Sequence, residues 1–391
     1  MTYNDGFHFL QIPGPSNIPG EVLRAIEKPT IDHRGTDFGM FTRELLEKIK
    51  KIFQTNSPII IFPASGTGAW EAALVNTLSP GDKTLMFETG HFASLWNDLA
   101  IKLGIKTEFI EGDWRHGISS DKLQERLSAD RNKEIKAVCC IHNETSTGVV
   151  SNIEDIRKAI DSENHPALLL VDTISSLGSI DYRHQDWGVD VTIACSQKGL
   201  MLPPGLSFNA ISEKALLASK KAKSARSYWD WEPMLKNNIE GFFPYTPATN
   251  LLFGLDVACD MLLSEGLDNV FLRHARFGEA TRQAVQAWGL ETVCMEPSQH
   301  SNVLTGIFVP ENHDADHVRK IILEQFNMSL GTGLGKLKGK AFRIGHLGHF
   351  NDLMLIGSLG GVEMGFELAD IPHQKGGVSR AMNYLISTAT L

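Results

Sequence analysis

The apolar run Leu168-Leu169-Leu170-Val171 stops on Asp172, and a second run, Thr192-Ile193-Ala194-Cys195, gives way to Ser196-Gln197-Lys198-Gly199. Each places a charge just past a strand-like stretch, and in an open α/β sheet ligands bind in the crevice at the carboxyl ends of the strands. Strands also end on solvated acids and lysines as a matter of course, so neither residue alone marks a site. Together they match one chemistry. A lysine amine can form a Schiff base with an aldehyde and then carry a proton, while a carboxylate beside a heterocyclic nitrogen keeps that nitrogen protonated.

A third element is Ser65-Gly66-Thr67-Gly68, where the run Ile59 to Phe62 turns into a helical pattern. Two glycines permit close backbone approach, two hydroxyls can donate, and a helix N-terminus offers free amides and the positive end of its dipole to an anion. The same four residues could simply cap a helix, and they lack the Gly-Lys-Ser/Thr ending of a Walker loop. Lysine, acid and phosphate cradle are the parts that pyridoxal 5′-phosphate (PLP) needs.

The elements that must position these residues are short apolar runs alternating with helix-like stretches from about residue 57 to 212: SPIIIFPAS, KTLMFE, KTEFIE, IKAVCCIHN, ALLLVD, DVTIACS and LSFNAIS. That rhythm predicts a mostly parallel sheet, and runs apolar on successive residues predict helices over both its faces. Helical spacing of Leu74, Val75 and Leu78 predicts a helix over 67–78, ended by Ser79-Pro80-Gly81. Beyond about residue 250 the pattern changes to longer helices and short strands near 305–309 and 340–344, as in a smaller α+β domain. The expected division is an N-terminal segment 1–20 near the active site, a large cofactor-binding α/β domain 21–255 and a small C-terminal α+β domain 256–391.

The chain has 391 residues, 42% hydrophobic and 21% charged, and a formal net charge of −9. It is long enough to bury two cores, and without a basic block it gives no sign of nucleic acid or an anionic membrane as partner. A small molecule is the expected partner. No stretch approaches the roughly 18 apolar residues of a membrane span, and the first residues lack the basic and apolar regions of a signal peptide. Five cysteines, Cys139, Cys140, Cys195, Cys259 and Cys294, form an odd set with no CxxC spacing, against a disulfide framework or zinc ribbon. The expected location is the cytoplasm.

Taken in order, PGPSNIP (13–19), DHRG (32–35), FPASGTGAWEAALVNTLSPGD (62–82), HNETSTGV (142–149), VDTISSLGS (171–179), WGVDV (187–191), SQKGLMLPPGL (196–206), FFPYTPATNLL (242–252) and FRIGHLG (342–348) run nearly the whole chain. This series resembles the class V, fold-type I PLP-dependent aminotransferases, specifically the serine–glyoxylate and alanine–glyoxylate aminotransferase family. The resemblance implies that Lys198 binds PLP and acts as catalytic base, that Asp172 meets the pyridine nitrogen, and that Ser146 lies near the ring oxygen. It implies phosphate contacts from Ser65, Gly66, Thr67 and Gln197, and stacking by Phe92, where some relatives carry tryptophan. It places Thr246 across a homodimer interface on the neighbouring subunit's phosphate; a tyrosine that some relatives have three residues earlier is Phe243 here. Arg343 and Gly14 fall to the substrate, Arg343 gripping its α-carboxylate with a planar fork of donors.

The activity so implied is ping-pong transfer of an amino group from a small L-amino acid, serine foremost, to glyoxylate, yielding glycine and hydroxypyruvate. Aspartate or alanine as donor is the alternative, and an aspartate side chain would call for an extra cation, for which Arg34 is a candidate. Cysteine desulfurisation is a remoter alternative and a non-enzymatic binding protein a third class. No metal role is expected: His346 and His349 lack a third ligand at plausible spacing. The run Gly331 to Lys336 lacks Walker spacing and reads as a flexible loop at the active-site edge, His142 and Glu144 as ring-positioning groups, and Trp229-Asp230-Trp231 as entrance or interface packing.

Overall fold

Strands whose residues are apolar at every position need cover on both faces, and the computed structural model, which describes residues 6–389, supplies it. The chain opens with strand β1 (Phe9–Gln11) and helices α1 (Gly20–Ile26) and α2 (Thr36–Ile52), followed by β2 (Ile59–Phe62), α3 (Gly66–Thr77), β3 (Lys83–Phe87), α4 (His91–Lys102) and β4 (Lys106–Ile110). Next come α5 (Ser120–Ala129), β5 (Ile135–Ile141), a hairpin of β6 (Asn143–Glu144) and β7 (Val149–Val150), α6 (Ile153–Ser162), β8 (Leu168–Asp172), β9 (Val191–Cys195) and β10 (Ser207–Ile211). Helices α7 (Glu213–Ser219), α8 (Trp231–Asn238), α9 (Thr249–Glu265) and α10 (Leu267–Ala287) lead to β11 (Leu304–Phe308), α11 (Ala315–Phe326), β12 (Met328–Thr332), β13 (Ala341–Gly345), α12 (Asp352–Leu368) and α13 (Gly377–Ser387).

The main sheet has the order β2-β10-β9-β8-β5-β3-β4. All its neighbours are parallel except β10, which is antiparallel to both β2 and β9. Strand β8 shows why its sequence does not alternate: Leu169 and Val171 pack with α2, α6 and α9, while Leu168 and Leu170 pack with α3, α4 and α8 on the other face. Full burial of each such side chain contributes about 1.5–3 kcal/mol. The fold is therefore the α/β type expected, a large, mostly parallel sheet covered by helices.

The second sheet has the order β1-β12-β13-β11, with a third core of α10 to α13 on it. Its edge strand comes from the other end of the chain, since Phe9, Leu10 and Gln11 pair in parallel with Met328, Ser329 and Leu330. Position 255 lies inside α9, whose Leu252, Leu255, Ala258, Cys259 and Leu262 belong to the core of the large sheet. The chain changes cores within α10, where Val270 packs with the first and Phe277 with the third.

Candidate active site

Strands β8 and β9 are parallel neighbours with Asp172 opposite Ile193, so the chain leaves both at the same edge of the sheet. Beyond β9 the turn is fixed by its own bonds: Leu202 N–H donates to Ser196 O, Met201 N–H to Lys198 O, and Ser196 Oγ–H to Pro203 O. Lys198 is thereby aimed back at the sheet. Asp172 is buried, its Oδ2 accepting from Trp70 Nε1–H at 2.8 Å and its Oδ1 from the Ile174 N–H at 2.6 Å. Burial outweighs those two donors and raises its pKa to about 7. Burial also lowers Lys198 to about 8, with the Arg343 charge acting in the same direction.

A cavity of about 180 Å³ lies between these groups, lined by Ser65, Gly66, Thr67, Phe92, Gln197 and Lys198 together with Asp172. One end is the N-terminus of α3, where Ser65 occupies the cap position yet its hydroxyl makes no capping bond. The Gly66 and Thr67 amides and that hydroxyl are available to an anion, while the Gly68 N–H donates to Ser65 O. Gly66 is demanded by the approach of Ile174: a Cβ there would stand 2.3 Å from its Cδ1. Gln197 Oε1 is buried without a partner, and since an amide can turn over, the same position can present Nε2–H to an anion. On the remaining side runs the segment after β1. Lys198 Nζ–H donates to Pro13 O, and Gly14, at φ +110°, leaves no room for a Cβ, which would stand 2.3 Å from Lys198 Cδ.

A free-ended helix for an anion, a buried acid and a lysine of depressed pKa thus face one cavity. The family model for class-V aminotransferases matches residues 8–336. The chain belongs to the class-V aminotransferases. It is 48% identical over 391 residues to a serine–glyoxylate aminotransferase of Methylorubrum extorquens, covering 98% of this chain and 97% of that one. It is 43% identical to an L-aspartate–glyoxylate aminotransferase of Paracoccus denitrificans, covering 96% of both. Among solved structures, the pyridoxamine–pyruvate aminotransferase of Mesorhizobium loti superposes with a TM-score of 0.91 at 26% identity, covering all of both chains. The family is PLP-dependent, and the cavity fits that group: unsatisfied donors at the phosphate end, and a carboxylate whose second oxygen is already fixed by an indole at the other.

Of the residues that its sequence singles out, Ser65, Gly66, Thr67, Phe92, Asp172, Gln197 and Lys198 line the cavity of the aminotransferase and Gly14 lies against Lys198, while Ser146, Arg343 and Thr246 are not in its lining. Ser146 does not line the cavity. Its Oγ–H donates to Glu144 Oε1 at 2.6 Å and its oxygen accepts from the His91 N–H at 2.9 Å, so both sides of the hydroxyl are engaged. Its neighbour Thr145, in the turn between β6 and β7, lines the cavity instead. Thr246 is exposed and lies outside the cavity of its own chain.

Arg343 lies in β13, behind Thr145. Its Nε–H donates to Thr332 O at 2.9 Å and an Nη1–H to Thr145 O at 2.6 Å. Both Nη2–H groups and the second Nη1–H are left, which is the end-on face of the fork. Burial lowers its pKa to about 10, a value at which it is still a cation at neutral pH. Among the decoys, His346 is consumed by Thr305 Oγ1 and Asn302 O, while His349 is exposed.

Trp70, Asn143, Thr145 and Ile174 line the aminotransferase cavity without having been singled out. Trp70 carried a usable signal. It lies one helical turn beyond Thr67, and a buried indole N–H must find an acceptor. Ile174 follows Asp172 by two residues in a turn, a spacing at which an Asp side chain accepts a backbone N–H.

Proposed function

We propose that this aminotransferase moves the amino group of L-serine to glyoxylate, giving hydroxypyruvate and glycine. The observation that carries the reading is the cavity of Lys198, Asp172 and the α3 N-terminus in a chain nearly half identical, end to end, to a serine–glyoxylate aminotransferase. PLP supplies an electron sink into which the Cα–H bond electrons of the amino acid pass. Lys198 and Gln197, with Ser65, Gly66 and Thr67, would hold it; the Asp172 carboxyl would meet its ring nitrogen, and Phe92 would set the plane of the ring.

Each substrate brings an α-carboxylate, which the end-on face of Arg343 takes, with Gly14 leaving the space beside Lys198 open. Lys198 Nζ, neutral when released, removes the proton from serine Cα and returns it on the cofactor side. The reverse order delivers the amino group to glyoxylate, so the kinetics are ping-pong.

A donor with a second carboxylate needs a second cation. The higher identity to the serine–glyoxylate relative, 48% against 43% for the L-aspartate–glyoxylate one, supports serine over aspartate. Arg34 lies in the turn before α2 and is not in the lining of its own chain's cavity. All five cysteines are buried, and burial pushes Cys294 up to about 11, so none offers the accessible thiolate that desulfurisation requires. We assign the active unit to a homodimer in which exposed Thr246 reaches the neighbour's phosphate, and the location to the cytoplasm; no helix among the described residues is long and apolar enough to cross a membrane. The test is kcat/KM for serine, alanine and aspartate with glyoxylate as acceptor, following glycine and the 2-oxo acid. Serine should lead. A higher value for aspartate would overturn the donor assignment.

A further inference from the structure

Glu144 is a fully buried carboxylate that the reaction above does not use. It accepts from Ser146 Oγ–H at 2.6 Å and Ser146 N–H at 3.0 Å, from Ala93 N–H at 3.1 Å and from Phe92 N–H at 3.4 Å. Ser146 Oγ in turn accepts from His91 N–H. The first three residues of α4 are therefore held by two side chains from the β6–β7 hairpin, while the cap position of that helix, Gly90, has no side chain of its own.

Gly90 is required for this arrangement. A Cβ at that position would stand 2.4 Å from both Glu144 Cγ and Ser146 Oγ. A carboxylate at this end of α4 also meets the positive end of the helix dipole, which offsets part of the cost of burying it. Phe92, the second residue of α4, is in the wall of the cavity. The ring of Phe92 is thus tied through its own backbone N–H to the Glu144 carboxylate, and through it to the hairpin.

We propose that Glu144 and Ser146 are positioning residues that lock the first turn of α4 and through it set the Phe92 ring against the cofactor. The inference rests on the reading of Phe92 as the residue that stacks on PLP. It gives Ser146 a different part from direct contact with the ring: it bridges His91 and Glu144 so that the aromatic platform cannot tilt.

A double-mutant cycle tests this with readouts other than turnover. Ser146→Ala and Glu144→Gln are made in the parent and in Phe92→Leu, and the PLP dissociation constant and the visible circular dichroism of bound PLP are measured on each purified enzyme. Phe92→Leu alone should weaken PLP. In the parent background, Ser146→Ala should raise the dissociation constant on the order of tenfold and alter the dichroic band, and in Phe92→Leu it should change either by less than about twofold, since coupled residues are non-additive. Glu144→Gln, which aims an amide N–H at the Ala93 N–H, should do the same more strongly. Equal losses of PLP in both backgrounds would make the pair an ordinary helix cap and overturn the proposal. Unchanged PLP binding in Phe92→Leu alone would instead remove the stacking reading on which it rests.

Discussion

An amine adds to an aldehyde only as the free base, so the depressed pKa of Lys198 has a direct kinetic consequence. Burial brings it to about 8, against the ordinary 10.5. The rate at which apoenzyme takes up PLP should therefore rise with pH through about 8 and then level off, as the ammonium loses its proton. A rate still climbing steeply at pH 10 would mean that Lys198 is not desolvated in this way. Arg343 makes the second prediction at this scale. Its Nε and one Nη1 hydrogen are spent on Thr332 O and Thr145 O, so its rotamer is fixed before substrate arrives. Arg343→Ala should lower kcat/KM for serine, alanine and glyoxylate alike by roughly 30-fold or more, the cost of truncating a charge-assisted pair in a desolvated cleft. Arg343→Lys should recover part of the loss, because an ammonium keeps the charge but not the fork. A loss confined to serine would show that Arg343 reads a side chain.

Among elements, the loop between β12 and β13 is held more firmly than its glycines imply. Lys336 pairs with Glu88 at 2.6 Å and lies over the Trp114 ring, 5.2 Å from its centroid, and Trp114 Nε1–H donates to Glu88 as well. Leu337 is buried beside Trp114 and Val293. Burial would raise Glu88, but Lys336, Trp114 and the Gly112 N–H hold it below the usual carboxylate range. The pair consequently persists through neutral pH and is lost only in acid, as pH falls through that lowered pKa. Lys336 is half-exposed, so Lys336→Met should change global stability by less than about 1 kcal/mol. Amide exchange over 333–338 should nonetheless quicken, because the loop loses a local tether. Unchanged exchange there would assign the tether to Leu337 alone.

At the scale of the molecule, each cavity is built from parts far apart in the chain: residues near 14, 66, 92, 145, 172, 198 and 343. The N-terminal strand completes the small sheet, and the chain then crosses to the turn after β9 of the large sheet, where Ser16 N–H donates to Gln197 O and Ser16 Oγ–H to Lys198 O. The two sheets are thereby joined at the lysine itself. The assigned homodimer adds a further part from outside the chain. Sedimentation at assay concentration should find a dimer, and Thr246→Ala should raise the PLP dissociation constant without dissociating it. A monomer of full activity would exclude a shared site.

The sequence by itself determined much of this. Runs apolar at every position, as in β8, require cover on both faces, and charges directly after them fall at the sheet's carboxyl edge. Asp172, Lys198 and the Ser65-Gly66-Thr67 turn were therefore legible from pattern and chemistry, with Phe92, Gln197 and Arg343 supplied by family resemblance. Tertiary structure decided what depends on one residue of register or on contacts between distant segments. The turn between β6 and β7 brings Thr145 to the cavity and Ser146 to Glu144, in a stretch from Asn143 to Thr147 whose side chains are all polar, so no hydrophobic pattern marks which side is which. Trp70 meets Asp172 across 102 positions, and β1 pairs with β12 across more than three hundred. Local propensity carries no record of such partners, because they exist only once both cores have closed around them.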